Sequence, residues 1–118
     1  MQQIFNGIEK GTEFINYFYT NWTTNPDVFN TIIKPYSKLR FNSNSYEGND
    51  FILLLKQISS NNLVFSDCKY EILDTQSRQI YIVVHGKIND HFFSQTFLLI
   101  FSGFDKPWTL MNSLLIIN

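Results

Sequence analysis

Between Arg78 and Phe104 the chain runs in two apolar stretches separated by the polar pair Asn89-Asp90. In the first, Ile80, Ile82, Val84 and Ile88 alternate with Tyr81, Val83, His85 and Lys87, a period of two in β-branched and aromatic residues that predicts a strand. In the second, Phe93, Phe97, Leu99 and Phe101 share one parity and Phe92, Leu98 and Ile100 the other. The two stretches predict a hairpin of long strands that is apolar on both faces. An antiparallel hairpin ordinarily wets one face, so this one needs two covers. The chain's own helices are expected to supply one, and a second protein the other.

Elsewhere the period lengthens to three and four residues. Ile4, Ile8, Gly11, Ile15, Phe18 or Tyr19, and Trp22 fall on one helical face, predicting a first helix over 3–23. One of Thr23, Thr24 and Asn25 then caps a short second helix over 27–33, with Pro26 in its first turn and Pro35 as its stop. Leu39 and Phe41 share a parity in a short strand that returns through Asn42-Ser43-Asn44. Gly48-Asn49-Asp50 leads into a third helix, with Asn49 or Asp50 as its cap and Phe51, Leu54, Leu55 and Ile58 on its buried face. A strand over 63–73 turns through Asp74-Thr75-Gln76-Ser77 into the hairpin, and Asp105-Lys106-Pro107 turns the chain into a last strand over 108–117. There are no repeats, linkers or low-complexity tracts. Three helical pieces interrupted by a small hairpin, followed by four long antiparallel strands, predict an α+β domain spanning 1–118 with helices on one face of a curved antiparallel sheet.

Composition narrows what such a domain does. A chain of 118 residues has room for one core. Only 16% of its residues are charged while 17% are aromatic, twelve of them Phe, which leaves little charge to cover a surface. The net charge of −1 offers no electrostatic case for direct nucleic-acid or membrane binding. Cys68 stands alone, with no Cys or His at metal-ligand spacing, which fits a reducing compartment and an inert thiol. No leader opens the sequence and no apolar run reaches membrane-spanning length, so a soluble protein without metal or cofactor is expected.

Three stretches carry a family resemblance: FINYFYTNW at 14–22, LRFNSNSYEG at 39–48, and FSQTFLLIF at 93–101 with WTLMNSLL at 108–115. In that order and spacing the chain resembles the nuclear transport factor 2-like family, a cone of three helices closed by a bent sheet. Within it, FINYFYTNW, the pair Phe41-Asn42, the short central loop and the tail NSLLII most resemble the small subunit of the heterodimeric mRNA-export receptor. The resemblance implies a non-enzymatic subunit of nucleus, nuclear pore and cytoplasm. Such a subunit pairs through its sheet with a like-folded domain of a larger receptor and helps bind Phe-Gly nucleoporins; a homodimer stays open. Leu39, Phe41 and Phe97 are expected to line the inside of the cone.

Two other readings stand beside this one. The family's homodimeric carrier for GDP-bound Ran depends on an acidic residue in the first hairpin, acids in the central loop and an exposed Trp near the first helix. Here those positions hold Asn42, Asn89-Asp90 and Gly7, with Phe5 close by. An enzyme of the isomerase or dehydratase kind would need an acid–base group and an oxyanion donor inside the cone. His85 falls on the outer parity, His91 at a hairpin tip, and Asp67 and Glu71 lie about 13 Å apart along one strand. Tyr17, Tyr19, Tyr36, Tyr46, Tyr70 and Tyr81 could donate, although packing is the commoner role for a tyrosine. No catalytic residue is therefore assigned. The outer parity collects Tyr81, Val83, His85, Ser94, Thr96, Leu98 and Leu114, a mixed but mostly apolar set expected to form the partner interface.

Overall fold

Asn6 opens the first helix, its side-chain oxygen accepting from Glu9 N at 3.1 Å, and α1 runs Gly7–Thr24. The computed structural model describes residues 6–75, 78–101 and 108–118, so the expected helical residues 3–5, the Gln76-Ser77 turn and the Asp105–Pro107 turn lie outside the described residues. The second helical piece is a 3-10 helix, Pro26–Thr31, entered from Asn25 without a side-chain cap. It is shorter than expected and ends before Pro35.

Strands β1 (Lys38–Phe41) and β2 (Asn44–Glu47) form the small hairpin, and α2 runs Asn49–Ser59. The cap of α2 is Gly48, not Asn49 or Asp50, which sit inside the first turn. Gly48 has φ of +54°, and a Cβ there would stand 3.1 Å from the Pro35 backbone, so neither its conformation nor its surroundings favour a side chain. The buried face of α2 takes Phe51, Ile52, Leu54 and Leu55, while Ile58 is only half-buried.

The remaining strands are β3 (Phe65–Asp74), β4 (Gln79–Ile88), β5 (His91–Ile100) and β6 (Thr109–Ile117). Among the described residues they join β1 and β2 in one sheet of order β2-β1-β6-β5-β4-β3. Neighbours pair antiparallel except β1, which lies parallel to β6 and makes the sheet mixed. Asn89 and Asp90, with φ of 47° and 70°, form the two-residue turn between β4 and β5 that matches the twist of paired strands. Val64 N donates to Asn89 Oδ1 at 2.7 Å and Asn89 N donates to Val64 O at 2.9 Å, so β3 begins two residues later than the apolar pattern suggests.

The core lies between the helices and the inner parity of the sheet, where Ile80, Ile82, Val84, Phe93, Phe97 and Leu99 are buried. Phe18 stacks on Phe29 at 4.8 Å between ring centres and meets Phe97 edge-on at 4.9 Å; Phe14 meets Phe97 at 5.1 Å. Each buried phenylalanine contributes about 1.5–3 kcal/mol relative to exposure. Trp22 donates its indole N–H to Leu55 O at 2.8 Å and so ties α1 to α2. Gly11 lets α1 approach β3, because a Cβ there would stand 2.8 Å from the Ile72 side chain.

Candidate protein interface on the outer sheet face

Cross-strand register assembles the outer face into rows. Pairing aligns Glu71, Val83, Thr96, Leu114 and Arg40 across β3, β4, β5, β6 and β1. The row on one side of it is Lys69, His85, Ser94 and Ile116; on the other it is Leu73, Tyr81, Leu98, Asn112 and Lys38. All seven residues expected at a partner interface therefore stand on this face. Val83, Ser94, Thr96, Leu98 and Leu114 are half-buried, while Tyr81 and His85 are exposed. Thr96 Oγ1 accepts from Leu114 N at 3.2 Å, which satisfies the hydroxyl within the sheet.

Sequence reasoning left Ile116 and Arg40 out of this face. Ile116 is 40% exposed and shares a parity with Leu114, a signal that was there to be used. The apolar centre has a charged rim: Lys38 pairs with Glu47 and Lys87 with Asp67, each at 3.8 Å, and Lys87 Nζ lies 5.1 Å from the centre of the Phe92 ring. Shallow hollows interrupt the face. One of 440 Å³ is lined by Tyr81, Val83, Thr96, Leu98 and Asn112 together with inner-face Ile82 and Phe97, and one of 580 Å³ includes Lys69, His85, Ser94 and Ile116 in its lining.

The chain's sequence matches no protein-family model and no curated protein. Its shape does have relatives among solved structures. Nuclear transport factor 2 from Cryptosporidium parvum aligns over 95% of this chain and 94% of its own at 21% identity, with a TM-score of 0.64. An NTF2-like protein from Cytophaga hutchinsonii aligns over 97% and 100% at 12% identity and 0.74. A chain of the C. albicans Mtr2–Mex67 M domain complex aligns over 95% and 94% at 12% identity and 0.73. The fold is nuclear transport factor 2-like.

Inside this nuclear transport factor 2-like cone the polar groups are few and mutually bonded. Tyr19 donates to Gln95 Oε1 at 2.7 Å, Gln95 Nε2 donates to Ser113 Oγ at 3.4 Å, and Ser113 Oγ donates to Thr96 O at 2.8 Å. Burial of the Tyr19 hydroxyl, with a further push from Cys68, holds its pKa well above the ordinary 10.0. Leu39 and Phe97 are buried in the aromatic core and Phe41 packs against its edge.

The other candidate groups are scattered. Asp67 has φ of 54° in a bulge where Asp67 and Cys68 together oppose Gly86, so the strand alternation linking Asp67 to Glu71 is broken there. Asp67 turns to Lys87, and Glu71 stands beside Val83 on the outer face. A Cβ on Gly86 would lie 2.6 Å from Cys68 Sγ, so the bulge rests on a bare backbone. Partial burial raises the Cys68 thiol pKa, Asp67 adds to the rise and a backbone hydrogen bond at Lys87 opposes it. His91 is exposed at the hairpin tip, and Tyr36 and Tyr70 are exposed as well. Asn42 Oδ1 accepts from Ile117 N at 3.2 Å, giving its side chain a bond to the end of β6. Gly7 N donates to Asp74 Oδ2 at 3.2 Å, and a side chain at Gly7 would collide with that carboxylate.

Proposed function

We propose that this chain is a non-enzymatic subunit that docks the outer face of its sheet on a like-folded domain of a larger mRNA-export receptor. The observation that carries the reading is the row Val83–Thr96–Leu114, two half-buried aliphatic side chains flanking a threonine whose hydroxyl is bonded within the sheet, inside a polar and charged rim and on the side of the sheet away from α1 and α2. The four long strands β3 to β6, nine or ten residues and about 33 Å each at about 4.8 Å spacing, present on the order of 600 Å², and the four-residue β1 extends one edge toward the roughly 800 Å² that one partner contributes to a standard specific interface. The structural likeness to a chain of the Mtr2–Mex67 M domain complex supports pairing between two proteins as a use of this fold. In this reading the pair presents a site for Phe-Gly nucleoporins, works between nucleus, nuclear pore and cytoplasm, and stabilises each partner by mass action.

The Ran-carrier reading has weaker support, because Asn42 and the Asn89-Asp90 turn carry one carboxylate where that function relies on several, and charge-assisted contacts to a basic surface weaken accordingly. The test is isothermal titration of the purified chain with the like-folded domain of an mRNA-export receptor. Binding by the wild type and its loss in Val83→Glu/Leu114→Glu is the expected result. Absence of binding by the wild type, or equal binding by the variant, would overturn the reading.

A further inference from the structure

Among the described residues β4 is the only strand that pairs with β3, which ends the sheet on that side. The strand at the opposite end, β2, has four residues, whereas β3 has ten. Sheets ordinarily blunt so long an edge. The Asp67-Cys68 bulge does this for the first half of β3, and Lys69 to Asp74 then keep a regular register with His85 to Ile80.

Hydrogen bonds at the two ends of the β3–β4 ladder fix which groups that regular stretch leaves over. Thr75 N donates to Gln79 O at 3.2 Å and Asn89 N donates to Val64 O at 2.9 Å, so the odd-numbered positions from Gln79 to Asn89 bond toward β3. Lys69, Glu71 and Leu73, which stand opposite His85, Val83 and Tyr81, therefore bond toward β4. The N–H and C=O groups of Tyr70 and Ile72 point away from the sheet.

Apolar side chains border these groups. Tyr70 is 41% and Leu73 63% exposed. α1 turns Phe14 and Tyr17 to Trp108 and Tyr19 to Phe65 at the start of β3. Ile8, about three turns before Tyr19, lies on that same β3 side of the helix and is 53% exposed. On the outer side, a hollow of 330 Å³ lined by Lys69, Tyr70, Glu71, Val83 and His85 opens beside the edge.

We propose that the free edge of β3 docks an extended segment of another protein, which adds to the sheet as a further strand antiparallel to β3. The backbone groups of Tyr70 and Ile72 hold its main chain, and its side chains of one parity, apolar and β-branched, enter between Ile8, Tyr70 and Ile72. On the other parity the edge asks for a carboxylate opposite Lys69, with His85 beside it, a cation opposite Glu71 and an apolar group opposite Leu73. Read from its N-terminus, the matching segment is Leu-Val-Lys-Ile-Glu. The site lies on the rim of the sheet and does not depend on what covers the outer face.

Fluorescence anisotropy of a labelled peptide, Leu-Val-Lys-Ile-Glu with a Gly-Ser pair at each end, titrated with the full chain tests the proposal. Saturable binding is expected. N-methylation of the Val or Ile amide, which face Ile72 and Tyr70, weakens it by about tenfold or more, whereas N-methylation of the Lys amide between them, which points to solvent, has a much smaller effect. Ile8→Lys weakens binding, and Lys69→Glu/Glu71→Lys turns the preference toward the peptide with Lys and Glu exchanged. These three positions are exposed, and circular dichroism checks that each variant stays folded. Leu114→Glu, on β6, keeps the wild-type affinity, which separates this site from docking on the outer face. A peptide that does not bind, N-methyl effects without the period of two, or a charge exchange without effect would overturn the proposal. Self-association of the chain that Ile8→Lys abolishes, with no peptide binding, would give the edge to a second copy and overturn it as well.

Discussion

Half-buried Tyr19 meets Gln95 at the edge of the aromatic core, the phenol donating a 2.7 Å hydrogen bond to the Gln95 amide oxygen. Gln95 is fully buried on the inner parity of β5, between Val84 on β4 and Leu115 on β6, so its carbonyl has no water to fall back on. Tyr19→Phe removes the donor and strands that oxygen, which costs about 1–3 kcal/mol. A lower urea midpoint with an unchanged slope is the expected result.

The same phenol makes stability depend on alkaline pH. Its folded pKa is raised, by burial first and Cys68 second, so the folded state keeps a proton that the unfolded chain gives up near 10.0. The contribution is fully present below pH 10 and is lost as pH climbs from there toward the folded pKa. Unfolding midpoints measured between pH 8 and 11 fall more steeply for the wild type than for Tyr19→Phe.

Gly86 lies opposite the Asp67-Cys68 bulge, where a methyl group would stand 2.6 Å from Cys68 Sγ, 3.0 Å from Cys68 Cα and 3.2 Å from the Phe93 ring. Gly86→Ala therefore costs about 1–3 kcal/mol through overpacking. Adding Cys68→Ala relieves the sulfur contact but not the backbone one, so the pair recovers only part of the loss in thermal melts.

Asn42 combines a left-handed backbone, φ of 53°, with bonds at both of its polar ends: its N–H donates to Leu115 O at 3.0 Å and its side chain accepts from Ile117 N. Asn42→Ala loses the side-chain bond and keeps the strained backbone, a cost of about 1–2 kcal/mol. Asn42→Asp retains an acceptor and lies closer to the wild type in chemical denaturation.

Much of the layout was legible because the decisive patterns are local. The alternation Ile80–Ile82–Val84 against Tyr81–Val83–His85 assigned inner and outer faces from one strand alone, and the helical spacing of Phe18 and Trp22 did the same for α1. What escaped depends on contacts distant in sequence. The parallel seating of β1 on β6 is a tertiary choice with no trace in Leu39 or Phe41. Nothing in FSDC marks Asp67 for positive φ; the bulge becomes intelligible only when Gly86 is laid opposite it. Arg40 and Glu71 belong to one row only after the registers of four strand pairs are chained together. Gly48 caps α2 ahead of the better-suited Asn49 and Asp50, and its positive φ together with the nearby Pro35 backbone accounts for a glycine at that spot.

The central claim is that the sheet's outer face is covered by another protein's, and the molar mass of the chain mixed with a like-folded receptor domain, read by light scattering, tests it most directly. Mixed with an equimolar like-folded receptor domain, the wild type is expected to scatter at the summed mass of the two chains, and Val83→Glu/Leu114→Glu, its helical signal intact, at the 13.9 kDa of one chain beside the free domain. A wild type that scatters as 13.9 kDa both alone and with an equimolar like-folded receptor domain, indistinguishable from the variant, would contradict the account.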